Sequence, residues 1–383
     1  MFLDAPTTMA VITSWPAATC FPERELLKAE AQACGLPLSN DAMRDLREWV
    51  NALAKSQRVI NQIQVMPNDN LARQIEGMYA AMEDPQWRAG SWKCYPAWRS
   101  DTYQDANGGA DGYYLDDPIG IAFIEAGLKL GVPNFAVHKG LPIPGFDVVH
   151  NRPVEIGRVA KRFPEANFVI YHSAISAGTG GSAMDAINVP ETETGPYVST
   201  GDVVGVNMLI RALIEEGLIT ENDDGTVTRN GPLNVYAEMG SAWSRVMRNP
   251  NNAQHYMGKL LKYFGPDNIV WGTDCILGGS PKGQIDLFKA FSITDQFQND
   301  FGYPAMTNEI RAKIFGLNAA RIYGIKPDAK RCVIKEGDLA TAKLELDHRF
   351  GPNRTLEIGP SGPRTREEFW AHARYMRNKG LPG

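Results

Sequence analysis

Seven short apolar runs, each closed by glycine, proline or a polar side chain, recur along the chain. They are Thr8–Trp15, Arg58–Val65, Gly90–Pro96, Asn134–His138, Ala166–His172, Leu233–Glu238 and Ile269–Asp274. Their β-branched and aromatic content, with breakers at the ends, predicts strands covered on both faces. Between them, apolar residues repeat at helical spacing. Leu46, Val50 and Leu53 follow a capping Ser39; Leu71, Ile75, Met78 and Met82 form a second stripe. Pro118 opens a helix with Phe123, Leu128 and Leu130, and Pro153 opens one with Ile156, Val159, Ala160 and Phe163. Thr307 is placed to cap a last helix over Glu309–Tyr323, closed by Gly324.

Strands alternating with helices predict a parallel α/β sheet, and the lengths suit a βα-barrel, which needs eight strands. The rhythm breaks between 176 and 232, where polar loops, a helix over Asp202–Glu216 and a turn or hairpin over Thr220–Gly231 read as an insertion. Beyond Lys326 the composition turns polar and glycine-rich. Residues 327–383 read as an extension with one helix, Thr365–Asn378, rather than a second domain.

Charge narrows the partners. The net charge of −5 carries no basic stripe, which argues against nucleic acid. Five scattered cysteines without a paired spacing fit a reducing compartment, and with no basic leader at Met1 the expectation is a cytoplasmic protein. No apolar run reaches membrane-spanning length, so no membrane is expected. The expected partner is a small-molecule substrate, with homo-oligomers favoured if sheet edges are left open.

Three strand ends carry chemistry. His138, His172 and Asp274 each close an apolar run, and barrel enzymes place their reacting groups at that end. The first two lie 34 residues apart, about one βα unit, and so on adjacent strands. His138 reads as a metal ligand or a hydrogen-bonded rim residue. His172 reads as a ligand or a general acid/base, and Asp274 as a ligand and proton acceptor or a helix cap. Glu238 is the one charge on its strand, a substrate or metal contact or half of a buried ion pair. Lys93 and Tyr95 alternate on the third strand, and a lysine facing the barrel mouth suits an anionic substrate group.

Taken together, Trp92-Lys-Cys-Tyr95, Leu115-Asp-Asp-Pro118, Val137-His-Lys-Gly-Leu-Pro142, Tyr171-His172, Tyr236-Ala-Glu-Met-Gly240, Trp271-Gly-Thr-Asp274 and Phe315–Gly324 resemble the amidohydrolase superfamily. The nearest likeness is to the amidohydrolase-2 group, which includes aminocarboxymuconate-semialdehyde decarboxylase. The resemblance implies an α/β fold, the (β/α)8 TIM barrel of metal-dependent hydrolases, over residues 1–326. The seven runs then stand for strands two to eight, so the barrel is amino-terminally incomplete. It implies His138, His172 and Asp274 as metal ligands, His172 and Asp274 also as catalytic groups; Lys93, Tyr95 and Glu238 are read from their strand positions as substrate-binding residues. The implied cofactor is a divalent metal, zinc or else manganese. The implied activity is hydrolysis or non-oxidative decarboxylation of a small carboxylated substrate through a metal-activated water. One departure stands out: no His-x-His occurs, where the family's first strand carries a metal-binding pair. The alternatives are a chain truncated at its amino terminus, where an export signal could also have stood, or a non-catalytic remnant or subunit of a longer protein.

Overall fold

The computed structural model describes residues 7–14, 39–83, 89–99, 112–141, 146–176, 195–201, 203–247, 249–275 and 280–327, with Ala5, Thr341, Leu344, Glu345 and His348. Trp15, most of the loop after Ser176 and the expected helix at Thr365–Asn378 lie outside the described residues. Seven strands form one sheet in the order β1 (Ala10–Ile12), β2 (Val59–Gln64), β3 (Ala89–Cys94), β4 (Asn134–His138), β5 (Asn167–Tyr171), β8 (Val235–Glu238) and β9 (Ile269–Val270). Every neighbouring pair is parallel. Right-handed crossovers are the rule for such units, and helices fill them here. They include α1 (Asn40–Ala54), α2 (Leu71–Glu83), α3 (Pro118–Lys129), α4 (Ile156–Arg162), α5 (Gly205–Glu215), α6 (Ala242–Val246) and α7 (Pro250–Lys259). Among the described residues no helix is long and apolar enough to cross a membrane.

The expected caps form. Ser39 Oγ accepts from the amide of Ala42 at 3.1 Å, and Thr307 Oγ1 from that of Ile310 at 3.2 Å. Residues 219–229, read as a turn or hairpin, make the antiparallel pair β6 (Ile219–Glu221) and β7 (Val227–Arg229). Three expectations need correction. The last helix is broken: α10 (Asn308–Ala312) and α11 (Asn318–Ile322) flank a π-helical turn at Lys313–Leu317, after α8 (Lys282–Ala290) and α9 (Asp295–Phe301). Pro153 precedes rather than opens its helix, which begins at Ile156. The final strand is two residues long rather than six, because Gly272 and the left-handed Asp274 (φ 51°) turn the chain out of the sheet.

Alternation along the strands separates two sets of side chains. Phe135, Val137, Phe168, Ile170, Val235 and Ile269 face the helices in the main core. Ala136, Val169, Tyr171, Tyr236 and Val270 face the other way and pack together. That inner face is concave. Tyr171 on β5 donates its hydroxyl to Gln62 Oε1 on β2 at 2.7 Å. Three strand spacings in a flat sheet would hold those strands about 14 Å apart, so the sheet curls to bring them together. Gln62 Nε2 in turn donates to Tyr323 Oη at 3.0 Å, tying the segment after α11 to the interior.

Candidate active site

Parallel register fixes which side chains share a layer of the concave face. Gln64, Lys93, Ala136, Val169 and Tyr236 are in register, and one layer nearer the carboxyl ends stand His138, Tyr171, Glu238 and Val270. The strand ends then complete the set with His172 and Asp274.

His172 does not continue β5. It opens a left-handed turn, with φ of 60°, 50° and 55° at His172, Ser173 and Ala174. Left-handed backbone costs an L-residue roughly 1–2 kcal/mol, so three in a row need outside support. Ser173 supplies some, donating to the Glu238 carbonyl at 2.8 Å and lying 2.9 Å from Tyr256 Oη. Glu238 supplies the rest. Its Oε2 accepts the His172 amide at 3.0 Å and its Oε1 accepts the Gly240 amide at 2.6 Å. The carboxyl group is a strut joining the turns that follow β5 and β8. Burial, then the negative charge of Asp274, pushes its pKa up to about 8, against the two amide bonds and Lys93.

The two histidines face each other. His138 Nε2 lies 2.7 Å from the Leu141 carbonyl and His172 Nδ1 lies 2.8 Å from the Gly240 carbonyl. Carbonyls only accept, so each ring carries its proton on that nitrogen. The remaining nitrogens, His138 Nδ1 and His172 Nε2, meet at 3.1 Å. Burial holds both rings neutral: His138 falls well below the usual histidine range, helped by His172 and Lys93, and His172 falls to about 4 despite the opposing pull of Asp274. Two lone pairs therefore point at one gap, which suits a proton or a cation.

The expected trio is brought together, but not around one point. Asp274 Oδ2 stands 3.4 Å from His172 Nδ1, on the side of the ring away from His138, and accepts a bond from Ser241 Oγ. For a divalent metal, the imidazole pair fits. Nitrogens bound at 2.0–2.1 Å to one tetrahedral ion lie roughly 3.3 Å apart, and each ring donates its far N–H to a backbone carbonyl as metal-bound histidines do. The carboxylate does not complete the set, and among the described residues no group of three or more His, Cys, Asp or Glu is arranged to hold an ion.

Tyr95 stacks on His138 with ring centroids 5.2 Å apart, and its hydroxyl is engaged by the Ser14 carbonyl at 2.5 Å. Lys93 is fully buried, and its Nζ has no hydrogen-bond partner among the described residues. It sits 3.0 Å from the centroid of the Tyr171 ring, and burial lowers its pKa to about 7 against the attraction of Glu238 and Asp274. Beside it, Gln64 Nε2 is a second buried donor without a partner among the described residues. Gln64, Ser241 and Gly272 were not singled out from sequence. The one available signal for Gln64 was an amide at an inward position of a strand buried along its whole length.

These states fix a pH response. The folded pKa of His172 lies below its unfolded value of 6.5, so between 6.5 and about 4 the unfolded chain binds more protons. Stability contributed above 6.5 is lost as pH falls through that window. Urea denaturation at pH 7 and pH 5 is expected to show a smaller drop for His172→Gln than for the native chain.

Residues 233–325 match the amidohydrolase family model Amidohydro_2. No curated protein matches the chain. Among solved structures, a 2,6-dihydroxybenzoate decarboxylase in complex with 2,6-dihydroxybenzoate is similar at 15% identity and TM-score 0.44, over 81% of each chain. An amidohydrolase 2 from Bifidobacterium longum subsp. infantis is similar at 15% identity and TM-score 0.35, over 79% of this chain and 86% of that one. A uronate isomerase from Bacillus halodurans is similar at 11% identity and TM-score 0.37, over 78% of this chain and 64% of that one.

Proposed function

We propose that this chain is an amidohydrolase-type enzyme, a hydrolase or non-oxidative decarboxylase of a small carboxylated substrate, a reading supported by the match at residues 233–325. Its seven parallel strands would stand for the second to eighth of a (β/α)8 barrel within residues 1–326. The observation that carries this reading is the 3.1 Å approach of His138 Nδ1 and His172 Nε2 beside Asp274, at the carboxyl ends of the strands.

A divalent ion, zinc or else manganese, held by His138 and His172 would polarise a substrate oxygen or acidify water. The chain's own groups do the rest. With no ion on it, His172 Nε2 would instead accept a proton, and Asp274, facing Nδ1, would stabilise the imidazolium that results. Glu238, kept largely protonated at neutral pH, holds the amides of His172 and Gly240 and so sets the ring's position. Gln64 Nε2 and Lys93 Nζ have unmet donor capacity one layer below and would take substrate oxygens.

A second reading, a non-catalytic remnant, draws support from the missing His-x-His and the incomplete ion cage. One experiment separates them. The purified chain is assayed against small hydroxybenzoates, keto acids and lactones for carbon dioxide or acid release, with bound metal measured by mass spectrometry. Turnover that disappears in His138→Ala and Asp274→Ala, with metal lost in the former, is expected. Native turnover retained in both variants overturns the first reading, and none with any substrate in the native chain favours the remnant.

A further inference from the structure

We propose that Lys93 is a nucleophile: its Nζ condenses with the ketone of a 3-keto acid, and the iminium so formed takes up the electron pair released when the carboxyl group leaves. The inference rests on the preceding reading only in taking the concave strand-end face as the substrate site; it needs no ion there.

The other fully buried lysines among the described residues are satisfied. Lys139, fully buried, contacts Glu155 Oε1 at 2.5 Å and donates to the His150 carbonyl at 2.7 Å. Lys259, also fully buried, donates to Asn207 Oδ1 at 3.0 Å. Lys93 alone among these three has a bare Nζ. Leaving an amine without a hydrogen bond in the interior is costly, a cost that makes sense where the nitrogen's lone pair is used. Its surroundings are π faces, Tyr171 at 3.0 Å and Tyr95 at 4.9 Å from their centroids, an apolar lining of the kind that activates a Schiff-base lysine. Burial also leaves a large part of the amine unprotonated near neutral pH.

The neighbours match the needs of the reaction. Gln64, in register beside Lys93, offers its unpartnered Nε2 to a substrate carboxylate. Glu238 stands one layer above on the same concave face, at the end of β8. Nζ attacks the ketone carbon, and the carbinolamine loses its hydroxyl with one proton as water. The bond to the carboxyl carbon then breaks, its electrons flow to the iminium nitrogen, and carbon dioxide departs. The enamine carbon takes a proton from the Glu238 carboxyl group or from water. Water adds to the iminium, frees the ketone and restores Lys93. Nothing is oxidised or reduced on balance.

Borohydride reduction in the presence of acetoacetate or oxaloacetate tests this on the full chain. An imine on Lys93 is frozen as a secondary amine, which peptide mass spectrometry locates. The expected result is a keto-acid-dependent adduct at Lys93, insensitive to chelator, absent from Lys93→Arg and Lys93→Met, with other lysines at background. No adduct at Lys93 with either acid, or labelling there no stronger than at surface lysines, overturns the proposal. Because trapping is read on the native chain, a misfolded variant does not blunt the result. Chelator-sensitive turnover without a Lys93 adduct would remove this proposal and leave the metal reading intact. A Lys93 adduct with turnover undisturbed in His138→Ala would do the reverse.

Discussion

Gly272→Ala is expected to lower stability by about 3 kcal/mol or more and to shift the urea midpoint accordingly. A Cβ at that position would stand 1.5 Å from Glu238 Oε1 and 2.7 Å from its carboxyl carbon. The carboxyl group cannot swing aside cheaply, since both oxygens are bonded to backbone amides in the interior. Displacing it strands the His172 and Gly240 amides, each worth roughly 1–3 kcal/mol when buried and unmet. The same movement removes support from the left-handed turn at 172–174. Gly283→Ala is the matched control: nothing lies within 4 Å of its new methyl, and it sits in helix α8, where alanine is favoured. A Gly272→Ala chain as stable as the control would show that the strut is not needed.

His172→Gly is expected to cut kcat by about 10²- to 10⁴-fold while changing stability by no more than about 1 kcal/mol. Glycine removes the imidazole that faces both His138 and Asp274, yet it accepts the φ of 60° that histidine endures there. Loss of the ring's contacts and relief of the backbone then offset one another. Added imidazole is expected to restore part of the turnover, with saturation, because the vacated space is bounded by the same carbonyl and carboxylate. Full activity in this variant, at unchanged stability, would remove His172 from the chemistry.

Much of the architecture was legible because apolar runs, breakers and caps are local. Ser39, Thr307 and the strands at 58–65, 134–138 and 233–238 needed only their own neighbourhoods. The strand-end residues were legible for the same reason, as charges closing apolar runs. What local pattern could not carry was curvature and the angle at which loops leave the sheet. The final strand shortens because Gly272 makes way for a carboxyl group on another strand. His172 turns left-handed because Glu238, 66 positions away, holds its amide. Asp274 approaches the far nitrogen of His172 for that reason too, a placement that spacing alone leaves open. Gln64 stayed hidden because an amide in a buried strand looks like any satisfied core residue until its register with Lys93 is known.

The hydroxyl–amide–hydroxyl link from Tyr171 through Gln62 to Tyr323 makes the segment after α11 a remote tuner of the surroundings of Lys93. Tyr171 is the ring that roofs the Lys93 amine, and its tilt is anchored at the other end by a residue more than 150 positions later in the chain. Adjusting the amine's reactivity therefore does not require touching its immediate neighbours. A change at Tyr323 would let the aromatic roof tip and admit water to the nitrogen, leaving every strand-end group in place.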